Sequence, residues 1–241
     1  MSIWQRLATL GDSLLSAGQP LRDLVSRLVG GDPSAPGQAP RDGTESIAFT
    51  IAVVSLAAKM AKADDVVLQR EVDAFEAIFH VPDSERPAVM RVFRLAQQST
   101  AGYDSYARQV ARLLADNVAA LEQVLDALFH IAAAEGKVAT GELEFLREVA
   151  RLFGFSEADF QRIAAENGVG LAENPYIVLG LSPDATQAEI RAAYRRLLLR
   201  NHPDALQAAG VPADMLELAQ EKTRRIVAAY RRLSGERNAM T

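Results

Sequence analysis

Apolar residues recur at intervals of three and four along most of the chain, the spacing that lines one face of an α-helix. In residues 1–29, Ile3, Trp4, Leu7, Leu10, Leu14 and Leu15, then Leu21, Leu24, Val25 and Leu28, predict an amphipathic helical segment broken near Gly18 to Pro20. Residues 30–44 contain four glycines and three prolines in fifteen positions and almost no apolar side chain. Such a stretch buries too little surface to order itself and reads as a flexible linker. From Glu45 to about Glu166 the helical period returns almost without relief, and a short connection, Asn167 to Glu173, leads to a last segment at 174–241. β-Branched runs between turn signals are few, so the expected fold class is all-α.

The middle segment repeats itself. A shift of 71 positions lays Met60-Ala61-Lys62-Ala63-Asp64-Asp65 on Ile131-Ala132-Ala133-Ala134-Glu135-Gly136, Val67 on Val138 and Glu71 on Glu142. Phe75 and Ile78 then fall on Leu146 and Val149. Each copy reads as an apolar helix, an acidic turn and a second helix with a carboxylate in its first turn. Duplicated helix pairs of this kind pack as one bundle, with 82–120 supplying the connecting helices.

Composition narrows the class further. With 49% hydrophobic and 24% charged residues the chain has the make-up of a globular protein, and without cysteine it has no disulfide framework, thiolate metal site or cysteine nucleophile. This usage suits a reducing cytoplasm. No stretch approaches the roughly 18 to 20 apolar residues of a membrane-spanning helix. The net charge of −5 is unevenly divided: 174–241 carries 10 Lys and Arg against 7 Asp and Glu, and 1–173 carries 16 against 24. The acidic part and the basic part are expected to meet different partners. Overall acidity without interleaved aromatics argues against nucleic-acid binding.

The basic segment has sharp local signals. Thr186 and Glu189 form a capping box that starts a helix at Gln187. Ile190, Tyr194, Leu197 and Leu198 form its apolar stripe, flanked by Arg191, Arg195, Arg196 and Arg200. Pro203 lacks an N–H and disfavours the helical conformation at His202, so the helix ends first and His202-Pro203-Asp204 is expected in a loop. A further helix runs from about Pro212 to Leu233. It repeats Ala192-Ala193-Tyr194-Arg195-Arg196-Leu197 as Ala228-Ala229-Tyr230-Arg231-Arg232-Leu233, which predicts an antiparallel helix pair with facing tyrosines and leucines.

The opening Asn174-Pro175-Tyr176-Ile177-Val178-Leu179-Gly180-Leu181, the Arg-flanked helix and His202-Pro203-Asp204, in this order, resemble a J-domain. The loop after Asp204 and the phrase Ala219-Gln220-Glu221-Lys222-Thr223 resemble the DjlA type, although Asn201, Ala205 and Thr223 depart from common J-domain residues. The duplicated helices over 45–166 resemble the TerB-like domain. Together the resemblances imply a TerB-like helical bundle followed by a J-domain helical hairpin. They also imply a co-chaperone that stimulates a DnaK-type ATPase. His202, Pro203 and Asp204 would couple to the partner's switch, and Arg191, Arg195, Arg196 and Arg200 would attract and orient it.

The TerB-like resemblance also implies a divalent-cation role for Asp64, Glu71, Glu135 and Glu142. Neither acidic turn offers the oxygen ladder that calcium needs, and a first-turn carboxylate is equally explained by the helix dipole and free N–H groups. No Gly-rich phosphate loop, acid–base pair or metal triad stands out, so no enzyme activity, catalytic residue or resident cofactor is expected. With no Gly/Phe-rich segment or cysteine zinc finger, an unknown client is left to the upstream part of the chain. The expected location is cytoplasmic; the apolar face of residues 1–29 is expected to pack on the main body or on a second subunit, with a peripheral contact at the inner membrane face as the alternative. The competing reading is a metal-responsive, TerB-like stress or tellurite-resistance scaffold with a degenerate J-domain.

Overall fold

The computed structural model describes residues 54–60, 103–115, 117–208 and 216–238, together with 73, 76, 83, 86, 87, 90 and 93. The amphipathic segment 1–29, the linker 30–44 and most of the first repeat, Asp64 and Glu71 included, lie outside the described residues. Among the described residues every regular element is helical, and no helix is long and apolar enough to cross a membrane. A helical stretch at 54–60 is followed by α1 (Tyr103–Leu113), α2 (Val118–Ala132), a single 3-10 turn at Ala133–Glu135, α3 (Thr140–Leu152) and α4 (Glu157–Glu166). Then come α5 (Pro175–Val178), α6 (Gln187–Arg200), α7 (Pro203–Ala208) and α8 (Leu216–Asn238).

α2 is the central element of the upstream domain. Asn117 caps it by accepting the Ala120 N–H at 3.0 Å, and every residue from Ala120 to Phe129 is buried. A helix surrounded on all sides must find apolar neighbours all round. α2 finds them in α3, α4 and α8, and its core also takes Leu56 and Met60 from 54–60 and Val110 from α1. α3 contributes Phe145, Leu146 and Val149, and α4 contributes Phe160, whose ring lies 5.8 Å from that of Phe129. At the start of α4, Ser156 Oγ accepts the Asp159 N–H while the Asp159 carboxylate accepts the Ser156 N–H, a reciprocal cap.

α6 and α8 form the antiparallel pair expected from their shared phrase. Gln187 at the start of α6 donates to the Leu233 carbonyl, and the Tyr194 and Tyr230 rings stack at 4.1 Å and 10°. Ile190, Ala193 and Leu197 pack with Ile226, Ala229 and Leu233, and the small alanines let the axes approach. The second helix departs from its expected end: α8 continues five residues past Leu233, to Asn238.

The two domains are not separate beads. Leu206 of α7 and Ala219 of α8 are buried in the upstream core, while Ala165 of α4 is buried in the core of the helix pair. At Gly180, φ is +64°, and a Cβ there would come within 2.8 Å of the Arg162 side chain, so backbone angle and domain contact both require glycine.

The junction is held by a buried cluster of charges. Lys222 Nζ on α8, only 1% exposed, lies 2.6 Å from Glu122, 3.0 Å from Asp126 and 2.8 Å from Glu166. Arg162 on α4 bridges Glu122 at 2.9 Å and Glu166 at 2.8 Å. Arg200, at the end of α6, reaches Glu122 at 2.9 Å. Three cations thus meet three carboxylates. Asp126 also accepts from Asn167 at 2.6 Å and Gln123 at 3.0 Å.

The carboxylates differ in character because they share one ammonium. Burial pushes Asp126 up, Lys222 pulls against it, and the neighbouring Glu122 and Glu166 charges carry it to about 6. Burial would also raise Glu122, but Lys222 and Arg162 outweigh it and hold that group well below its usual range. Lys222 loses hydration, yet its carboxylate neighbours hold its proton more tightly than usual.

Lys222→Met leaves three buried carboxylates with two guanidinium groups, and it is expected to lower unfolding free energy by about 3–5 kcal/mol, read by urea denaturation. Asp126 has an ordinary pKa of 3.8 and a folded value of about 6, so between those limits the folded state holds a proton that the unfolded chain has released. Its contribution to stability therefore declines as pH rises through this window and is fully lost above it. Glu122 acts oppositely, stabilising above its ordinary value of 4.5 and losing that contribution as pH falls through its depressed folded value. Urea titrations of Asp126→Asn are expected to lack the Asp126 decline between about pH 4 and 6.

Candidate functional site

α6 is positioned by its cap, its stripe and its far end. Thr186 Oγ1 accepts the Glu189 N–H at 3.3 Å and the Glu189 carboxylate accepts the Thr186 N–H at 2.7 Å, fixing the first turn as predicted. The stripe packs on α8. At the far end, Asn201 is buried and donates from Nδ2 to the Leu197 carbonyl at 2.9 Å. An amide at this position therefore serves as a C-terminal cap where an aromatic ring would only pack.

The four arginines divide into two sets. At about 100° per residue, Arg191 and Arg195 lie on one side of the buried stripe and Arg196 and Arg200 on the other. Arg191 and Arg195 are exposed. Arg196 is also exposed, but with Arg200 it lines a cleft shared with α4. Arg200 is the departure from expectation: its guanidinium pairs with Glu122 of the upstream domain and is 28% exposed, because the last turn of α6 docks over the buried cluster. Leu199, between the two sets, is 71% exposed.

His202-Pro203-Asp204 is displayed, though not in a loop. Pro203 and Asp204 are the first residues of α7, and the His202 carbonyl accepts the Leu206 N–H at 3.0 Å. Proline ends α6 as expected, but it is also suited to a helix's first position, where its missing N–H has no helical partner to lose. α6 stops at Arg200 and α7 starts at Pro203, leaving only Asn201 and His202 as the corner. His202 Nδ1 accepts the Asp204 N–H at 3.2 Å, which places the proton of the neutral ring on Nε2. The side chains of His202 and Asp204 remain 58% and 89% exposed. Leu206, one turn along, is fully buried in the upstream core and pins the corner in place.

Beside the corner a groove of about 360 Å³ runs between α6, α7 and α8, lined by Leu198, His202, Pro203, Leu216 and Thr223 among others. Thr223 does not leave its hydroxyl in this groove unpaired: it donates to the Ala219 carbonyl at 2.7 Å. Ala205 is exposed. The corner therefore offers a partner an imidazole N–H, a carboxylate, a rigid proline and an apolar wall, with guanidinium groups along the approach.

The acidic turns show a different use of charge. Glu142 is buried, and its carboxylate accepts the Ala139 N–H at 2.8 Å, satisfying a free donor at the start of α3. Glu135 belongs to the 3-10 turn, closed by Gly136 at φ +93°. Among the described residues no three His, Asp or Glu side chains gather in a way that could hold a metal ion. Sequence reasoning missed Glu122, Asp126, Arg162, Glu166 and Lys222. A signal was present: Glu122 and Asp126 stand four apart in the largely apolar α2, and Arg162 and Glu166 have the same spacing in α4.

Residues 50–165 match the family described as tellurite resistance protein TerB, and residues 174–240 match the DnaJ domain. The chain is 28% identical over 194 residues to co-chaperone protein DjlA of Coxiella burnetii, covering 72% of each chain. It is 26% identical over 208 residues to that of Photobacterium profundum, covering 76% of this chain and 75% of the relative. A shorter match to the Pasteurella multocida DjlA is 50% identical over 58 residues, 24% of this chain and 20% of the relative. No solved structure matches the chain significantly. The two longer alignments exceed either domain alone, so the likeness to the DjlA co-chaperones extends through the TerB-like bundle into the J-domain.

Proposed function

We propose that this protein binds a DnaK-type ATPase and stimulates ATP hydrolysis in it, without performing chemistry itself. The observation that carries this reading is the exposed His202-Pro203-Asp204 corner at the end of an arginine-flanked helix, pinned from behind by Leu206. A rigid corner loses little conformational entropy on docking, so its contacts can act on the partner's conformational equilibrium. Arg191, Arg195 and Arg196 supply long-range attraction to an acidic surface. The acidic upstream domain is the part available to select a client or a location. DjlA relatives named as co-chaperones support the same reading.

Single-turnover ATP hydrolysis by the cognate DnaK-type ATPase tests it. Wild-type chain is expected to accelerate hydrolysis, and His202→Gln, at an exposed position, is expected to lose most of that acceleration without a change in thermal midpoint. Equal acceleration by both would remove His202 from the mechanism, and no acceleration by wild type would overturn the co-chaperone reading in favour of a stress-response scaffold.

A further inference from the structure

The buried charges at the domain junction are short of hydrogens. Lys222 Nζ lies within 3.2 Å of four carboxylate oxygens: Glu122 Oε1 at 2.6 Å, Asp126 Oδ2 at 3.0 Å and Oδ1 at 3.2 Å, and Glu166 Oε2 at 2.8 Å. An ammonium has only three N–H bonds. They are directed at Glu122 and Asp126, and Glu166 Oε2, although buried, receives no hydrogen bond. Gln123 is 2% exposed; its Nε2 donates to Asp126, and its Oε1 has no donor. Buried acceptors of this kind are uncommon, because the hydration they lose is not replaced. A proton on Asp126 relieves the shortage. A neutral carboxyl draws less on Lys222, which frees an N–H for Glu166 Oε2, and it adds a donor of its own beside Gln123.

The groups around Asp126 come from both domains. Glu122 and Gln123 belong to α2, Arg162 and Glu166 to α4, with Asn167 at its end, and Lys222 to α8; Arg200 of α6 joins through Glu122. Lys222 is held charged by its carboxylates, as is Arg162, so the carboxyl groups are the part of the cluster that titrates. Parting the domains removes Lys222 and Arg200 and returns Asp126 to water. We propose that Asp126 is the proton site of an interdomain latch: its carboxyl takes up a proton as the J-domain docks on the TerB-like bundle, so the joint tightens as its surroundings acidify. The sign follows from linkage. Asp126 moves from an ordinary 3.8 to about 6 when docked, so docking weakens as pH rises through that window and levels off above it. Glu122 sets the acid limit, because its support for docking is lost as pH falls from its ordinary 4.5 through its depressed docked value. Leu206 and Arg200 are held by the same docking, so the rigidity of the His202-Pro203-Asp204 corner follows the proton. The latch concerns the joint alone and stands independently of the co-chaperone reading.

The chain contains no cysteine, so one introduced thiol reports on one place. Ala219 on α8 is buried in the upstream core and is uncovered when the domains part, whereas Ala193 on α6 is buried in the core of the helix pair. Labelling of the full-chain Ala219→Cys variant by a thiol-reactive dye is followed between about pH 5 and 7, each rate being divided by that of an unstructured peptide thiol to remove the thiolate contribution. The corrected rate is expected to rise about 10-fold from pH 5 to 7, the linkage factor for a group that titrates near 6 when docked. Adding Asp126→Asn is expected to abolish the rise, and Ala193→Cys is expected to show none. His130, one turn further along α2, is lowered by partial burial and not by any charge of the cluster, and it is common to both backgrounds. Should Ala219→Cys lower the thermal midpoint, energy transfer between dyes on the exposed Glu144→Cys and Arg231→Cys reads the same joint with its core untouched, and transfer is expected to fall from pH 5 to 7. A corrected rate, or a transfer efficiency, that is flat across this range would overturn the latch. So would an equal rise at Ala193→Cys, or a rise that survives Asp126→Asn.

Discussion

Burying a lysine ammonium is costly unless opposite charge surrounds it, and Lys222 is placed where only one arrangement of the two domains provides that charge. Its carboxylate partners come from α2 and α4, while Lys222 itself is on α8 and Arg200 on α6. Undocking would leave Glu122, Asp126 and Glu166 with Arg162 alone. Apolar surfaces can slide over one another at small cost, but a closed set of three cations and three carboxylates is satisfied in one register. The cluster therefore fixes orientation more than it adds bulk stability.

The consequences reach the His202-Pro203-Asp204 corner. Arg200 ties the end of α6 to Glu122, Leu206 ties the start of α7 to the upstream core, and His202-Pro203-Asp204 lies between these two anchors. Its side chains face solvent while its backbone is held by helices on both sides. The TerB-like domain thus supports the J-domain from behind. It also brings α4 alongside α6, with Arg162 and Arg200 lining the cleft between them.

Much of this was legible in the chain. The Thr186–Glu189 cap, the α6 stripe and the stacked Tyr194 and Tyr230 follow from patterns that depend on neighbours within a few positions or on a repeated phrase. The state of Pro203 was less legible, because proline both stops one helix and starts the next, and only the length of the corner decides where it falls. Charge was the least legible property. Arg196 and Arg200 read alike on a helical wheel, yet one is exposed and the other is paired to Glu122, 78 positions away in sequence.

The sequence by itself determined the helical class and the tripeptide at the end of a capped, arginine-flanked helix. These rest on periodicity, capping and composition, which are local properties. The tertiary structure alone decided that Lys222 is a buried hub, that Arg200 belongs to an interdomain ion pair and that α4 faces α6 across a cleft. The physical reason is that Coulomb attraction and desolvation depend on distance through space and on exclusion of water, and neither is written in the spacing of residues along one helix.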